Sequence, residues 1–126
     1  MSALVLRLPL PPSVNAMYRN VAGKGRVKTG AYKSWARAAS SYAWRQKPIG
    51  GFPRYESDFE VAICVPAKMR GDVDNRAKAT LDILKTWGII SDDRHAVAVS
   101  VRRVLDMPAE ECRVVVRPSS PSVRDA

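Results

Sequence analysis

Four aspartates fall in two tight groups. Asp72 and Asp74 lie in "RGDVDNRAK", Arg70 to Lys78, and Asp92 and Asp93 close "SDD", Ser91 to Asp93. Crowded like charges repel, so such grouping costs stability unless a cation or a basic partner compensates. In extended chain, residues two apart face the same side, which puts the Asp72 and Asp74 carboxylates together across Val73. Two hard oxygens so placed begin a Mg²⁺ site, which takes one or two carboxylates and completes its octahedron with water and substrate phosphate. Such an ion activates water and offsets charge on a phosphodiester being cleaved. Asp92 and Asp93 offer one or two further ligands, and neighbours on a strand point oppositely, so one of them faces the ion. Lys78 follows Asp74 by one helical turn, where its ammonium can neutralise a scissile phosphate or a leaving oxygen. The same residues have a plainer reading. D-x-D before a helix is also good capping chemistry that suits the helix dipole, and Lys78, Asp82 and Lys85 could form a solvated salt-bridge face.

Other catalytic templates fail. His95 is the only histidine, which excludes H-E-x-x-H zinc chemistry and any multi-histidine site. It reads as a surface or supporting residue. There is no G-x-S-x-G elbow, and "AGKGR" at 22–26 lacks the spacing and the Ser/Thr of a Walker lysine motif.

The elements that must carry these residues are legible in outline. Val5 to Leu8 reads as a short strand stopped by Pro9, Pro11 and Pro12. Residues 13–29 read as a mobile polar loop carrying Arg19, Lys24, Arg26 and Lys28, with Asn15 near its start. From Thr29, a helix N-cap, Tyr32, Trp35, Ala39, Tyr42, Ala43 and Gln46 recur with helical period. Phe59, Val61, Ile63 and Val65 alternate as a half-buried strand ended by Pro66. A second helix runs from about Asn75 to Trp87, capped by Asp74 or Asn75 and stopped at Gly88. Its apolar side holds Ala77, Leu81, Ile83, Leu84 and Trp87. Val97 to Val101 and Cys112 to Val116 alternate as strands, and the turn through Asp106 to Glu110 predicts that they pair as an antiparallel hairpin. Pro118 to Ala126 reads as a frayed tail. The order is β-α-β-α-β-β: one small α/β (α+β) domain over residues 1–117, a mixed sheet packed by two helices.

That second helix is about 20 Å long at its ordinary rise, so Asp93 starts far from Asp72 and Asp74. Ile89 to Asp93 span at most about 17 Å fully extended. Either the chain doubles straight back, or Asp93 comes from another subunit.

At 126 residues the chain makes one core, and 46% apolar with 26% charged residues is ordinary globular composition. Cys64 and Cys112 sit in apolar runs and read as reduced core thiols of a cytoplasmic protein. No apolar run approaches the ~20 residues of a membrane span, and Arg7 and Pro9 come too early for a signal peptide. Residues 1–70 hold twelve Lys/Arg against three acids, whereas the remaining 56 hold nine of each sign. The net charge of +9 thus lies in the first half, which points to a polyanion, nucleic acid above all. Arg19, Lys24, Arg26 and Lys28, with Lys68, Arg70 and Arg76 around the aspartates, are the candidate DNA contacts.

"LPLPPSVNAMYR" near the N-terminus and "GDVDNRAKATLDILKTWGIISDD" from Gly71 to Asp93 carry a resemblance. The chain resembles the RusA family of Holliday-junction resolvases, small phage-derived endonucleases, over roughly residues 4–117. The shared features are a Pro-Pro-Ser/Thr-x-Asn opening, a D-x-D-N followed by a lysine, and a paired D-D behind a Gly-hydrophobic turn. The resemblance implies that Asp72, Asp74 and Asp93 are metal-binding carboxylates and Lys78 the essential lysine. It leaves Asp92 secondary and Asn15 a motif residue. It further implies a homodimer that nicks opposed strands of a four-way junction with Mg²⁺ or Mn²⁺, in recombination and repair. One departure is that only Lys68 and Arg70 stand before Asp72, where some members have a dense basic run. Two rival readings remain: a branched-DNA-binding protein of phage origin without catalysis, and a phosphohydrolase of small nucleotides. The broad basic half disfavours the second of these.

Overall fold

The computed structural model describes residues 3–119, apart from the side chain of Asp74. The elements run β1 (Leu4–Pro9), α1 (Val14–Met17), β2 (Tyr18–Val21), β3 (Gly25–Lys28), α2 (Gly30–Arg45), β4 (Phe59–Pro66), α3 (Ala77–Thr86), β5 (Ala96–Val104) and β6 (Glu111–Pro118). Short 3-10 turns at Val73–Arg76 and Asp93–His95 precede α3 and β5. Four strands form one mixed sheet in the order β1-β6-β4-β5, and β2 with β3 make a separate ribbon.

β4 is buried along most of its length because "FEVAICVP" is apolar on both faces of its second half, the pattern of a central strand. It pairs antiparallel with β6 and parallel with β5. The antiparallel hairpin expected of β5 and β6 is therefore overturned, since β4 lies between them. Alternating residues specify a strand with one covered face, but they do not name its neighbour. A parallel pair needs a crossover of a dozen or more residues, and α3 with its flanking turns supplies it. The inner face of the sheet carries Leu4, Leu6, Leu8, Val61, Ile63, Val65, Cys112, Val114 and Val116. It joins Tyr32, Trp35, Ala39 and Ala43 of α2 and Ala79, Ile83 and Leu84 of α3 in one core.

α2 begins as its composition demands. The Thr29 hydroxyl accepts from the Tyr32 N–H (3.1 Å) and donates to the Ala16 carbonyl (2.6 Å), capping α2 and tying it to α1. At the other end, Gln46 exchanges two hydrogen bonds with the backbone of Arg7 (2.8 and 2.6 Å), standing in for a strand on the exposed edge of β1.

Residues 13–29 are not a loop. A turn with Gly23 at φ +79° and Gly25 at φ +72° closes the β2–β3 ribbon, a backbone form that glycine adopts without Cβ strain. Pro118 ends β6 opposite Phe59, and the Ser119 N–H reaches the Asp58 carbonyl (3.0 Å), so the chain is tied down there. Residues 120–126 of the expected tail lie outside the described residues.

Candidate active site

α3 starts two residues later than its pattern predicts. Neither Asp74 nor Asn75 holds its N-cap position: both lie in the 3-10 turn, and that position is Arg76, without a side-chain cap. Asp72 holds the N-cap position of the 3-10 turn and makes no side-chain capping bond either. Capping thus does not explain this exposed carboxylate. The buried stripe of α3 is Ala79, Thr80, Ile83 and Leu84, with Ala77, Leu81 and Trp87 half-buried at its margin. The Asp74 side chain lies outside the described residues.

The return of the chain after α3 is built by a Schellman motif. Gly88, at φ +76°, donates to the Lys85 carbonyl (3.0 Å), and Ile89 donates to the Leu84 carbonyl (3.0 Å). Buried Ile89 and Ile90 then anchor the segment, and Tyr55 bridges it on both sides, to Ile89 (2.7 Å) and Ser91 (3.2 Å). Within one chain this brings an Asp93 oxygen to 3.9 Å from the Lys78 Nζ. The chain thus doubles back far enough to set Asp93 beside Lys78.

Asp92 and Asp93 do not point apart as strand neighbours would: their side chains meet, and each also takes a further partner of its own. Asp92 caps the second 3-10 turn by accepting from the Arg94 N–H (3.1 Å), which holds its carboxyl below the usual range. Asp93 turns to Lys78. His95 faces Asp58 (3.7 Å) and stands away from this pair.

Lys78 is held most closely by Asp82, one turn on, at 3.1 Å. That hydrogen bond, helped by the charges of Asp82 and Asp93, raises the lysine pKa against the opposing effect of burial. The ammonium therefore stays protonated. The other Asp82 oxygen accepts from the Tyr18 hydroxyl (3.1 Å), whose pKa is raised by burial and then by Asp82. Asp82 reads in sequence as one of a solvated face, and Tyr18 as part of a loop; residue type and spacing single out neither as a site residue. The spacing of Lys78 and Asp82 could have suggested the first. Nothing local could have suggested the second, 64 positions away.

Arg19, Lys24, Arg26 and Lys28 are all exposed on the β2–β3 ribbon, and Lys68 and Arg70 are exposed beside Asp72. Arg26 stacks over the Tyr18 ring at 4.2 Å and Lys28 over Tyr32 at 4.8 Å. Arg76, expected among the DNA contacts, points elsewhere: it donates to the carbonyls of Pro11 (2.7 Å) and Arg70 (3.0 Å). Arg103 donates to Ala67, Met69 and Gly71 (2.8 Å to the last). Two guanidiniums thus clamp the loop that leads into Asp72. Arg103→Met should destabilise the protein by about 1–3 kcal/mol, the scale of losing charge-assisted bonds to carbonyls. A denaturant midpoint equal to wild type would show that the clamp contributes nothing.

A divalent ion can be tested against these residues. Among the described residues, no group of three or more His, Cys, Asp or Glu is set to hold a metal. Asp72 is nevertheless an exposed hard-oxygen donor with no capping role, and the Lys78 charge is already met by Asp82. This donor chemistry fits an ion that takes few carboxylates and fills its shell with water and phosphate.

A family model described as "Endodeoxyribonuclease RusA" matches residues 9–117. The crossover junction endodeoxyribonuclease RusA of Aquifex aeolicus (strain VF5) is 25% identical over 112 residues, covering 89% of this chain and 86% of the relative. The match spans the Pro-Pro opening, the ribbon, the Asp72–Lys78 segment and the Asp93 turn, and the chain belongs to the RusA endodeoxyribonuclease family.

Proposed function

We propose that this protein is a Mg²⁺-dependent endodeoxyribonuclease that resolves Holliday junctions by paired nicks, working as a homodimer in DNA recombination and repair. The observation that carries the reading is the Lys78 ammonium set between Asp82 and Asp93, one turn beyond the Asp72-x-Asp74 segment. Asp72, Asp74 and Asp93 would hold the ion, with Mn²⁺ able to substitute. When bound, the ion supplies activation of water and offsets charge on the scissile phosphate. Lys78 neutralises the phosphate or the leaving oxygen, Asp82 keeps that ammonium protonated and aimed, and Tyr18 fixes Asp82. The exposed cations of the ribbon, with Lys68 and Arg70, hold the backbone of the arms. In a two-fold dimer, equivalent sites meet opposed strands of the junction.

The direct test is a labelled synthetic four-way junction incubated with and without Mg²⁺. Paired symmetric nicks that need the metal are expected. Binding without cleavage in any divalent metal would instead support the non-catalytic branched-DNA-binding protein.

Affinity should fall steeply with salt, with a slope of about 0.9 per phosphate neutralised on duplex arms. Replacing Lys24 or Arg19 by Ala should reduce that slope by about one, across junctions of any sequence. A salt-independent affinity would remove the polyanion partner.

A further inference from the structure

A cavity of about 490 Å³ opens between α1 and the β2–β3 ribbon, lined by Val14, Asn15, Tyr18, Arg19, Asn20 and Arg26. We propose that this cavity is a nucleotide pocket: it takes one unstacked nucleotide of the branched DNA beside the scissile bond, its base edge read by Asn15 and Asn20 and its phosphate held by Arg19 and Arg26. The inference rests on the nuclease reading above and adds a recognition site to it.

Size is the first support. Small-ligand sites run about 300–1,000 Å³, and this cavity falls among them. Chemistry is the second. Two carboxamides, each both donor and acceptor, match the mixed edge of a base, and two guanidiniums match a phosphate. No carboxylate lines the cavity. Among the described residues, Asn15, Arg19 and Asn20 have no side-chain hydrogen bond or ion pair, and Arg26 only stacks on Tyr18. These side chains are exposed and, apart from the stacking of Arg26, have no protein partner to give up on binding a ligand.

Placement is the third support. Strand alternation and the Asn20–Arg26 pairing put Tyr18, Asn20 and Arg26 on one face of the ribbon; Arg19 starts from the other face and still lines the cavity. The Tyr18 face is the one turned to the active site, because the Tyr18 hydroxyl meets Asp82, which holds Lys78. A nucleotide in the pocket is thus two contacts from the ammonium. The Tyr18 ring, already stacked by Arg26 at 4.2 Å, offers a π surface such as unstacked bases use. Extruding a base costs a few kcal/mol from an intact duplex and less where its stack is interrupted, as where strands exchange at a branch point. A four-way junction provides such nucleotides at its crossover.

The test uses the full-length protein and junctions varied at the nucleotides flanking the crossover. Wild type should cleave this panel with rates spread by about tenfold or more, the scale of one good base contact. Asn15→Ala with Asn20→Ala should flatten the spread to within about threefold. In Ca²⁺, without cleavage, 2-aminopurine at the crossover should brighten on binding wild type and brighten far less with the double variant. Circular dichroism and a denaturation midpoint establish that the variant is folded; Asn20→Ser, which keeps a polar group, should recover part of the spread. A wild-type panel cut evenly, or a double variant that keeps the full spread and the full 2-aminopurine signal, would overturn the pocket. Wild type that cuts no junction yet shows the Asn-dependent 2-aminopurine signal would overturn the nuclease reading and uphold the pocket.

Discussion

Asp72→Asn is expected to lower junction cleavage by about a hundred- to a thousand-fold, the scale of losing one group that stabilises transition-state charge. Junction binding should stay equal to wild type or tighten, because the change also removes one negative charge facing a polyanion. Ca²⁺ should support binding by wild type but little cleavage, since it is larger and laxer in geometry than Mg²⁺. Asn caps a helix about as well as Asp, so this substitution leaves any capping intact and isolates the carboxylate chemistry. Its companion Asp72→Ala should change stability by no more than about 0.5 kcal/mol, as for a surface site without a special role. The reason is that Asp72 makes no capping bond to lose. A large stability loss in Asp72→Ala with near-normal cleavage in Asp72→Asn would return this residue to the capping reading. Asp74→Asn carries the same expectation for cleavage from its place in the D-x-D motif.

Lys78→Met should slow cleavage by a similar factor of about a hundred or more while sparing the affinity for the junction in Ca²⁺. The geometry explains why the lysine is available and why the loss is not structural. Its ammonium is 3.1 Å from Asp82 and 3.9 Å from Asp93, yet the side chain is 44% exposed. An exposed helical ion pair of this kind stabilises by about 0.5 kcal/mol at most, so folding should survive. Asp82→Asn separates positioning from charge. It keeps Lys78 but removes the contact that aims it, and should cost about tenfold, mostly in kcat. Tyr18→Phe, one step further out, should cost less than Asp82→Asn. Cleavage by Lys78→Met within about threefold of wild type would sink the role given to the ammonium.

The local signals in this chain were readable because their causes are local. Thr29 caps a helix whose Tyr32, Trp35, Ala39 and Ala43 recur at helical spacing, and α2 runs Gly30–Arg45 as that pattern requires. Phe59 to Pro66 alternates and then turns wholly apolar, and β4 occupies the same span. Gly88 marks the end of α3 because only a residue at ease with φ +76° closes that turn without strain. Asp72, Asp74, Lys78 and Asp93 were nameable as candidates from residue type, spacing and family resemblance.

What sequence could not determine was who stands beside whom. The turn at Asp106–Glu110 fits a hairpin as well as it fits a link passing across the end of β4, and the choice was made by burial of a strand apolar on both faces. The polar stretch at 13–29 became a ribbon because its two strands pair with each other and Tyr18 finds Asp82 across the fold. The same holds for Arg103, whose donors serve carbonyls more than 30 positions away. Caps and periods are set by interactions within a turn or two of chain, so they are written where they act. Strand partners, the meeting of Asp93 with Lys78 and the hold of Tyr18 on Asp82 depend on how the whole core closes, and only the tertiary structure decides them.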